Sequence, residues 1–440
     1  MGKSVSFKSS SIAQALKKEK IDVMKVEEKV KYATMILFAL LLALSAFIFN
    51  TPVEIAEGML EIIIAPSILV SDYMVIGNVG AAFLNAGLLM LISIYLTYKN
   101  DVNMNGPIIA AAFTIAGFAL FGKNLFNIWP VLVGVYLRSV YQREKFSKLL
   151  LPALFGTALG PLVSQISFGY GMHPTIAISL GLAVGVLSGF LLPPLANHFV
   201  RFHQGFNLYN IGFTAGITGM LFMAIFRSFG FDNPDTLYVA EGLNEPFTIY
   251  FAIYFGIMFI IGFLLNNRAF TGYTKLMNYS GRLVTDFVSL NGFGLSLINM
   301  ALLGYLSMAY ILLVGGELNG PILGGIFTII GFGAFGKHLK NVWPLFVGVY
   351  IASILQIWEV NSTAALLAAL FGTTLAPIAG GYGWSFGIIA GIVHMAMVMN
   401  VGDLHGGMNL YNNGFSGGFV AAILTPLFDS LKRFKGDANY

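Results

Sequence analysis

The 440-residue sequence contains no cysteine, and only 10% of its residues are charged. The absence of cysteine excludes disulfide bonds, thiolate metal ligands and cysteine nucleophiles. Hydrophobic residues make up 57% of the chain, and the mean hydropathy is +0.79. A soluble chain of this length could not bury so much apolar surface. The composition therefore predicts an integral membrane protein that contacts a lipid bilayer.

Familiar catalytic and cofactor motifs are also missing. No catalytic triad, Walker loop or metal-ligand spacing is present, and the Gly-Tyr-Gly run at 169–171 lacks the helix and acidic residue of a nucleotide site. We therefore expect no catalytic residue, no metal site, no cofactor and no enzymatic activity. The net charge of +4 resides mostly in loops, where it orients the chain, so nucleic acid is not expected as a partner.

Apolar runs of about 20 residues, the length that crosses a bilayer, recur along nearly the whole chain. The runs are continuous rather than alternating, which indicates α-helices instead of a β-barrel. The expected fold is an all-α polytopic membrane protein with about 10–14 transmembrane segments. Several segments are short and flanked by glycine and proline, which indicates re-entrant or broken helices.

The chain contains two related halves. Residues 105–123 read NGPIIAAAFTIAGFALFGK, and residues 319–337 read NGPILGGIFTIIGFGAFGK, with 12 of 19 positions identical. The match continues in the His-x-Gly-x-Asn-Leu-Tyr-Asn runs that begin at His203 and His405. These correspondences predict a first repeat unit at 31–230 and a second at 246–430, preceded by a polar cytoplasmic tail at 1–30.

The second unit is expected to be inverted relative to the first. An odd number of apolar segments separates equivalent points, about seven if every short segment crosses and about five if each short pair forms a re-entrant hairpin. The lysine-rich tail, the basic loop at 138–148 and the basic residues at 432–435 fall on one side, and the acidic stretch 232–245 on the other. The positive-inside rule then predicts a multi-pass protein of the bacterial inner membrane with both termini cytoplasmic.

Each copy of the NGP…FGK block is a candidate binding element. Asn105 and Asn319 precede a Gly-Pro helix start, and Lys123 and Lys337 end the block. In one interpretation each block is a re-entrant hairpin whose lysine presents positive charge to an anion or a polarised carbonyl. In the other interpretation the short segments cross fully, and each lysine extends to a membrane surface.

The Asn-Leu-Tyr-Asn runs are a second candidate. Amide and phenol groups that enter a membrane segment are costly unless they form hydrogen bonds. They either bind a small polar solute or cap helices and anchor them at the interface. The residues concerned are Asn207, Tyr209, Asn210, Asn409, Tyr411 and Asn412.

Two aspartates form a third candidate. Asp72 and Asp286 each precede an apolar segment of small residues, which contains Asn85 in the first unit and Asn299 in the second. A carboxylate at such a position can bind Na⁺ or H⁺ and couple transport to a gradient. Alternatively, it caps the helix and favours its positive end.

The quoted blocks, together with the Trp-Pro…Val-Gly-Val-Tyr stretch, resemble those of an uncharacterised bacterial family of integral membrane proteins, a domain of unknown function. This resemblance covers nearly the whole chain. More distantly, residues 80–85 (GAAFLN) and 207–212 (NLYNIG) are similar to pore stretches of bacterial urea transporters, although Ala86-Gly87 stands where those proteins have Asn-Pro. The similarity implies two inverted halves around a central path.

The expected function is membrane transport of a small polar or anionic solute, with the site at the interface of the two repeats. A passive urea-like or amide channel is the alternative, and a membrane enzyme or a sensor is less favoured. The expected partners are the solute and either Na⁺ or H⁺, and a homo-oligomer stays open.

Overall fold

The computed structural model describes residues 25–355 and 357–437. Within these ranges the chain is helical, and its β-structure is limited to isolated bridges. The predicted tail at 1–30 lies outside the described residues up to position 24, and the first helix begins at Glu28. The expected all-α fold is confirmed.

The described part of the first half contains ten helices. Its central feature is a segment that is broken into two helices, because Pro161 has no N–H to continue the ladder and a 3₁₀ turn fills the gap at Thr157–Leu159. In order, the helices are α1 (Glu28–Phe49), α2 (Pro52–Ile64), α3 (Tyr73–Ile76), α4 (Val79–Lys99), α5 (Gly106–Phe118), α6 (Ile128–Tyr141), α7 (Leu150–Gly156), α8 (Gly160–Ser164), α9 (Pro174–Phe199) and α10 (Asn210–Ser228).

The second half repeats this order element by element. Its broken segment has Pro377 at the matching place and a 3₁₀ turn at Thr373–Leu375. The helices are α11 (Asn244–Leu265), α12 (Tyr273–Leu276), α13 (Phe287–Asn291), α14 (Phe293–Leu313), α15 (Gly320–Phe332), α16 (Leu339–Leu355), α17 (Thr363–Gly372), α18 (Ala376–Tyr382), α19 (Trp384–His405) and α20 (Asn412–Asp437).

Ten helical segments within the described ranges are long and apolar enough to cross a membrane. Each half supplies five of them, and each broken segment counts as one. The number matches the lower end of the predicted 10–14. The protein is therefore a multi-pass membrane protein.

Close helix contacts in both halves depend on glycine. In the first half, α6 meets α9 at Gly134 and Gly189, where a Cβ on either residue would collide with a backbone carbonyl of the other helix. In the second half, α16 meets α19 at Gly348 and Gly391 in the same way. Glycine lets the backbones approach without a side chain between them, as is common for helices in lipid.

The centre of the molecule is formed by elements of both halves. Helix α5 packs along α15, and Gly117 lies against the backbone of Gly324 where the two cross. Every residue of α15 is buried. Helix α10 packs against α20 beside this pair. The matching blocks predicted from the sequence therefore meet in the core.

Candidate functional site

The two NGP…FGK blocks each contain a helix too short to span the hydrocarbon core. Helix α5 has 13 residues and so extends about 20 Å, which is short of the ~30 Å hydrocarbon core. A break follows, and α6 then begins at Ile128. Lys123 and Lys337 lie in the two breaks, and both are 0% exposed. Full burial excludes the interpretation in which these lysines extend to a membrane surface.

Asn85 and Asn299 form hydrogen bonds to the backbone of the two breaks. The Asn85 side-chain amide donates to the carbonyls of Ala119 and Lys123, each at 2.7 Å. Asn299 donates to the carbonyls of Gly333 and Lys337 at 2.7 and 2.8 Å. These bonds satisfy carbonyls that a broken helix leaves free. They give both residues a structural task, and their role in ion coupling stays a prediction.

Asp72 and Asp286 each cap the short NGP helix of the other half. An Asp72 oxygen accepts from the Gly320 amide and an Asp286 oxygen from the Gly106 amide, both at 3.0 Å. Burial raises the pKa of the Asp72 carboxyl to about 6, although N–H donors of Ala240, Met74 and Gly320 oppose the rise. The geometry fits the capping interpretation, and binding of Na⁺ or H⁺ here stays a prediction.

Asn105 and Asn319 cap the same helices from within. Each side-chain oxygen accepts from the backbone amide three residues ahead, at 3.0 Å to Ile108 and 3.1 Å to Ile322. Their oxygens are thus engaged in the local turn. Each of the short helices α5 and α15 therefore begins under two caps, one from its own half and one from the other.

The Asn-Leu-Tyr-Asn runs cross-link the two halves reciprocally. The Asn207 side chain donates to the Gly414 carbonyl at 3.0 Å, and Asn409 donates to the Gly212 carbonyl at 3.4 Å. Each asparagine oxygen accepts from the tyrosine amide two residues ahead, at 3.1 Å. Two long helices, α10 and α20, therefore begin side by side at the contact between the repeats.

The outer asparagines of these runs are held by histidines. The Asn210 oxygen lies 2.9 Å from His203 Nε2, and the Asn412 oxygen lies 3.0 Å from His405 Nε2. The amide groups of both asparagines point toward carbonyls of the preceding helices, at Ala196 and Val398. These contacts fix the start of α10 and of α20.

Tyr209 and Tyr411 form the centre of an aromatic cluster between the halves. Their ring centroids are 5.2 Å apart. Tyr209 contacts Phe332 at 4.8 Å, and Tyr411 contacts Phe118 at 4.6 Å. Phe118 ends α5 and Phe332 ends α15, so the cluster joins the two predicted binding elements in one place.

The two lysines differ in their hydrogen bonds. The Lys337 amine donates to the Tyr209 hydroxyl at 2.5 Å and to Thr373 Oγ1 at 2.6 Å. The Lys123 amine has no hydrogen-bond partner in the part of the chain that the structure describes, and neither has the Tyr411 hydroxyl. The hydrogen bonds of the buried lysine are therefore formed in the second half, whereas the equivalent lysine of the first half has none within the described residues.

A cavity of about 360 Å³ leads to the two tyrosines. Its floor is formed by Tyr209, Tyr411 and the first residues of α10, and its mouth lies beside the exposed residues Lys148 and Val284. Val284 is 77% exposed. The cavity therefore connects the contact between the repeats with one face of the molecule.

The interrepeat linker, residues 229–243, covers the equivalent place in the first half. Backbone bonds join Val70 to Thr236 and Tyr238, and the Asp72 amide donates to the Tyr238 carbonyl at 2.9 Å. The Ala240 amide donates to the Asp72 carboxylate at 3.0 Å. Val70 is equivalent to Val284, so the linker covers in the first half the position that is exposed in the second half.

The sequence analysis did not predict the contacts of the linker or the aromatic cluster around Tyr209 and Tyr411. The linker has no counterpart in the second unit, so a search for repeats passes over it. Phe118 and Phe332 recur at equivalent positions, but in a chain with 14% aromatic residues this carries little signal. Among the described residues no group of three His, Asp or Glu is placed to hold a metal ion.

Together these features define the class: a polytopic helical membrane protein, built from two matching halves that enclose a cavity. The chain belongs to the family described as "Protein of unknown function (DUF1576)", whose model matches residues 51–228 and 265–430. The resemblance to an uncharacterised family is thus confirmed. No curated protein and no solved structure gives a significant match, so the comparisons lend no support to the urea-transporter similarity.

Proposed function

We propose that this protein transports a small polar or anionic solute across the bacterial inner membrane, by alternating access at the interface of two inverted repeats. The observation that carries the proposal is the cavity, which reaches the contact between the repeats from one face only. No catalytic step is part of the proposal.

Reciprocal contacts support a twofold relation between the units. Asp72 caps α15 while Asp286 caps α5, and Asn207 and Asn409 exchange equivalent bonds. Such exchange is typical of units related by a twofold axis. Each half has five spanning segments, and an odd number inverts the second half, so the axis lies in the membrane plane.

The difference between the two faces supports alternating access over passive permeation. A channel needs a continuous path, whereas here the linker bonds to Val70 and Asp72 on one face while Val284 stays exposed on the other. Lys148 lies at the cavity mouth, and Asp232 and Asp235 lie in the linker. By the positive-inside rule, the cavity opens to the cytoplasm.

The test is counterflow in proteoliposomes with a panel of small polar and anionic solutes. Vesicles preloaded with urea, acetamide, lactate or benzoate are diluted into trace radiolabelled solute, with and without a Na⁺ or H⁺ gradient. The proposal expects saturable, trans-stimulated uptake of at least one probe. Non-saturating flux without counterflow would instead establish a passive channel.

A further inference from the structure

The cavity floor contains the amino-terminal end of helix α10. The first hydrogen bond of α10 runs from the Phe213 amide to the Tyr209 carbonyl at 2.8 Å. The amides of Asn210, Ile211 and Gly212 precede it and have no acceptor among the described residues, and all three residues line the cavity. A helix start with free amides favours an anion. Every helix has such amides, so a second observation is needed.

The second observation is the hydroxyl of Tyr411. The side chain lines the same cavity and is 1% exposed. Its hydroxyl has no hydrogen-bond partner in the described part of the chain. The Thr114 hydroxyl lies close enough to interact with it, but neither hydroxyl has a partner of ordinary hydrogen-bond geometry in the described part of the chain. A buried hydroxyl without a partner is unfavourable, and an acceptor atom of a ligand in the cavity would satisfy it.

The charges around the cavity favour a negative ligand. Among the described residues, no aspartate or glutamate lines it, and Lys148 at its mouth pairs with the exposed Glu144 at 3.5 Å. The unpartnered Lys123 amine lies 5.1 Å from the Phe118 ring, which Tyr411 also contacts. The buried Lys123 amine is thus separated from the Tyr411 side of the floor by the Phe118 ring, and it forms no salt bridge among the described residues.

The walls above the floor are apolar. They are formed by side chains of both halves, namely Leu151, Phe155, Leu208, Val284 and Phe332. A volume of about 360 Å³ is at the lower end of the range for small-molecule sites. A ligand that fits both parts has an anionic head and a compact apolar body.

We propose that the cavity binds a small organic carboxylate, whose head accepts hydrogen bonds from the Tyr411 hydroxyl and the amides of 210–212. The apolar body lies along the walls toward the cytoplasmic mouth. This inference rests on the proposed function and names the substrate class of the same site.

The test is calorimetric titration of the full chain in phosphatidylcholine nanodiscs with benzoate, and with benzamide and benzylamine of the same shape. Benzoate should bind at one site, at least about tenfold more tightly than benzamide, a difference of about 1.4 kcal/mol. Benzylamine should not bind. Equal binding of benzoate and benzamide, or absence of benzoate binding, would overturn the carboxylate site.

Variants separate the ligand contact from a packing role. Tyr411→Phe removes only the unpartnered hydroxyl, so it should weaken benzoate binding about tenfold without lowering the melting temperature. Tyr95→Phe, at an exposed position outside the cavity, should bind as the wild type does. Unchanged affinity in Tyr411→Phe contradicts the inference. If that variant misfolds, Lys123→Met must weaken benzoate binding, or the inference fails.

The anionic head could come from a free solute or from a lipid. Benzoate binding in phosphatidylcholine, which carries no net charge, supports a free carboxylate. Loss of that binding when the nanodiscs contain phosphatidylglycerol shows competition by an anionic headgroup, which supports the anion site with a lipid source. Counterflow of urea without benzoate binding would leave transport standing and remove the carboxylate site, so the two failures are distinguishable.

Discussion

At the scale of residues, two lysines that are equivalent in sequence have different surroundings. Lys337 donates to two hydroxyls, whereas Lys123 lies buried over the Phe118 ring with no hydrogen-bond partner among the described residues. Burying a polar group without a partner costs free energy, and a charged group costs more. The two equivalent lysines therefore differ in whether the hydrogen-bonding groups around them are paired.

We expect Lys337→Met to lower the free energy of unfolding by about 1–3 kcal/mol, because the buried Tyr209 and Thr373 hydroxyls lose their donor. Lys123→Met removes an amine without partners, so it should be neutral or stabilising. Thermal unfolding of both variants in one detergent compares them directly. Equal destabilisation would mean that Lys123 has a partner in solution.

The sequence predicted which residues lie at the contact between the repeats, but not which hydrogen bonds each of them forms. The duplicated lysines, tyrosines and asparagines were found because both copies keep polar groups inside apolar segments. Their partners could not be predicted, since Asn85 donates across 34 and 38 residues and Asp72 accepts across 248 residues. No local pattern encodes contacts of that separation. The same holds for the unpartnered Tyr411 hydroxyl.

At the scale of elements, the interrepeat linker is the part that breaks the symmetry. It forms a parallel bridge between Ser71 and Tyr238 and bonds to Val70 and Asp72. The equivalent segment 283–286 keeps the bond from Leu283 to Gly205, which matches Leu69 to Gly407, but no second linker covers it within the described ranges. In the transport cycle that we propose, access past Val70 therefore requires the linker to leave this position.

A disulfide across the bridge should stop transport. The chain contains no cysteine, so Ser71→Cys with Tyr238→Cys introduces the only thiols. Oxidation should abolish solute exchange in proteoliposomes, and reduction should restore it, because the fixed linker keeps the outer face closed. The single variant Ser71→Cys is the control under the same oxidation. If the fully oxidised protein exchanges solute as fast as the protein with reduced thiols does, release of the linker is not needed for transport.

At the scale of the whole molecule, the fold agrees with the number of segments read from the sequence, and the two halves follow one order of helices. Composition and periodicity suffice for this, because lipid demands long apolar helices. The cavity, which is open on one side, results from packing between the two halves. Sequence periodicity does not predict such packing. The cavity is also the feature on which the transport proposal depends.

The most direct measurement is labelling of Val284→Cys and Val70→Cys by a membrane-impermeant maleimide, in inside-out and right-side-out vesicles. At rest, Val284→Cys should react from the cytoplasmic side, and Val70→Cys should react much more slowly from the outer side. We expect the two labelling rates to differ at least about tenfold, which corresponds to about 1.4 kcal/mol. Similar rates from the two sides would mean a path open on both faces, and would contradict alternating access.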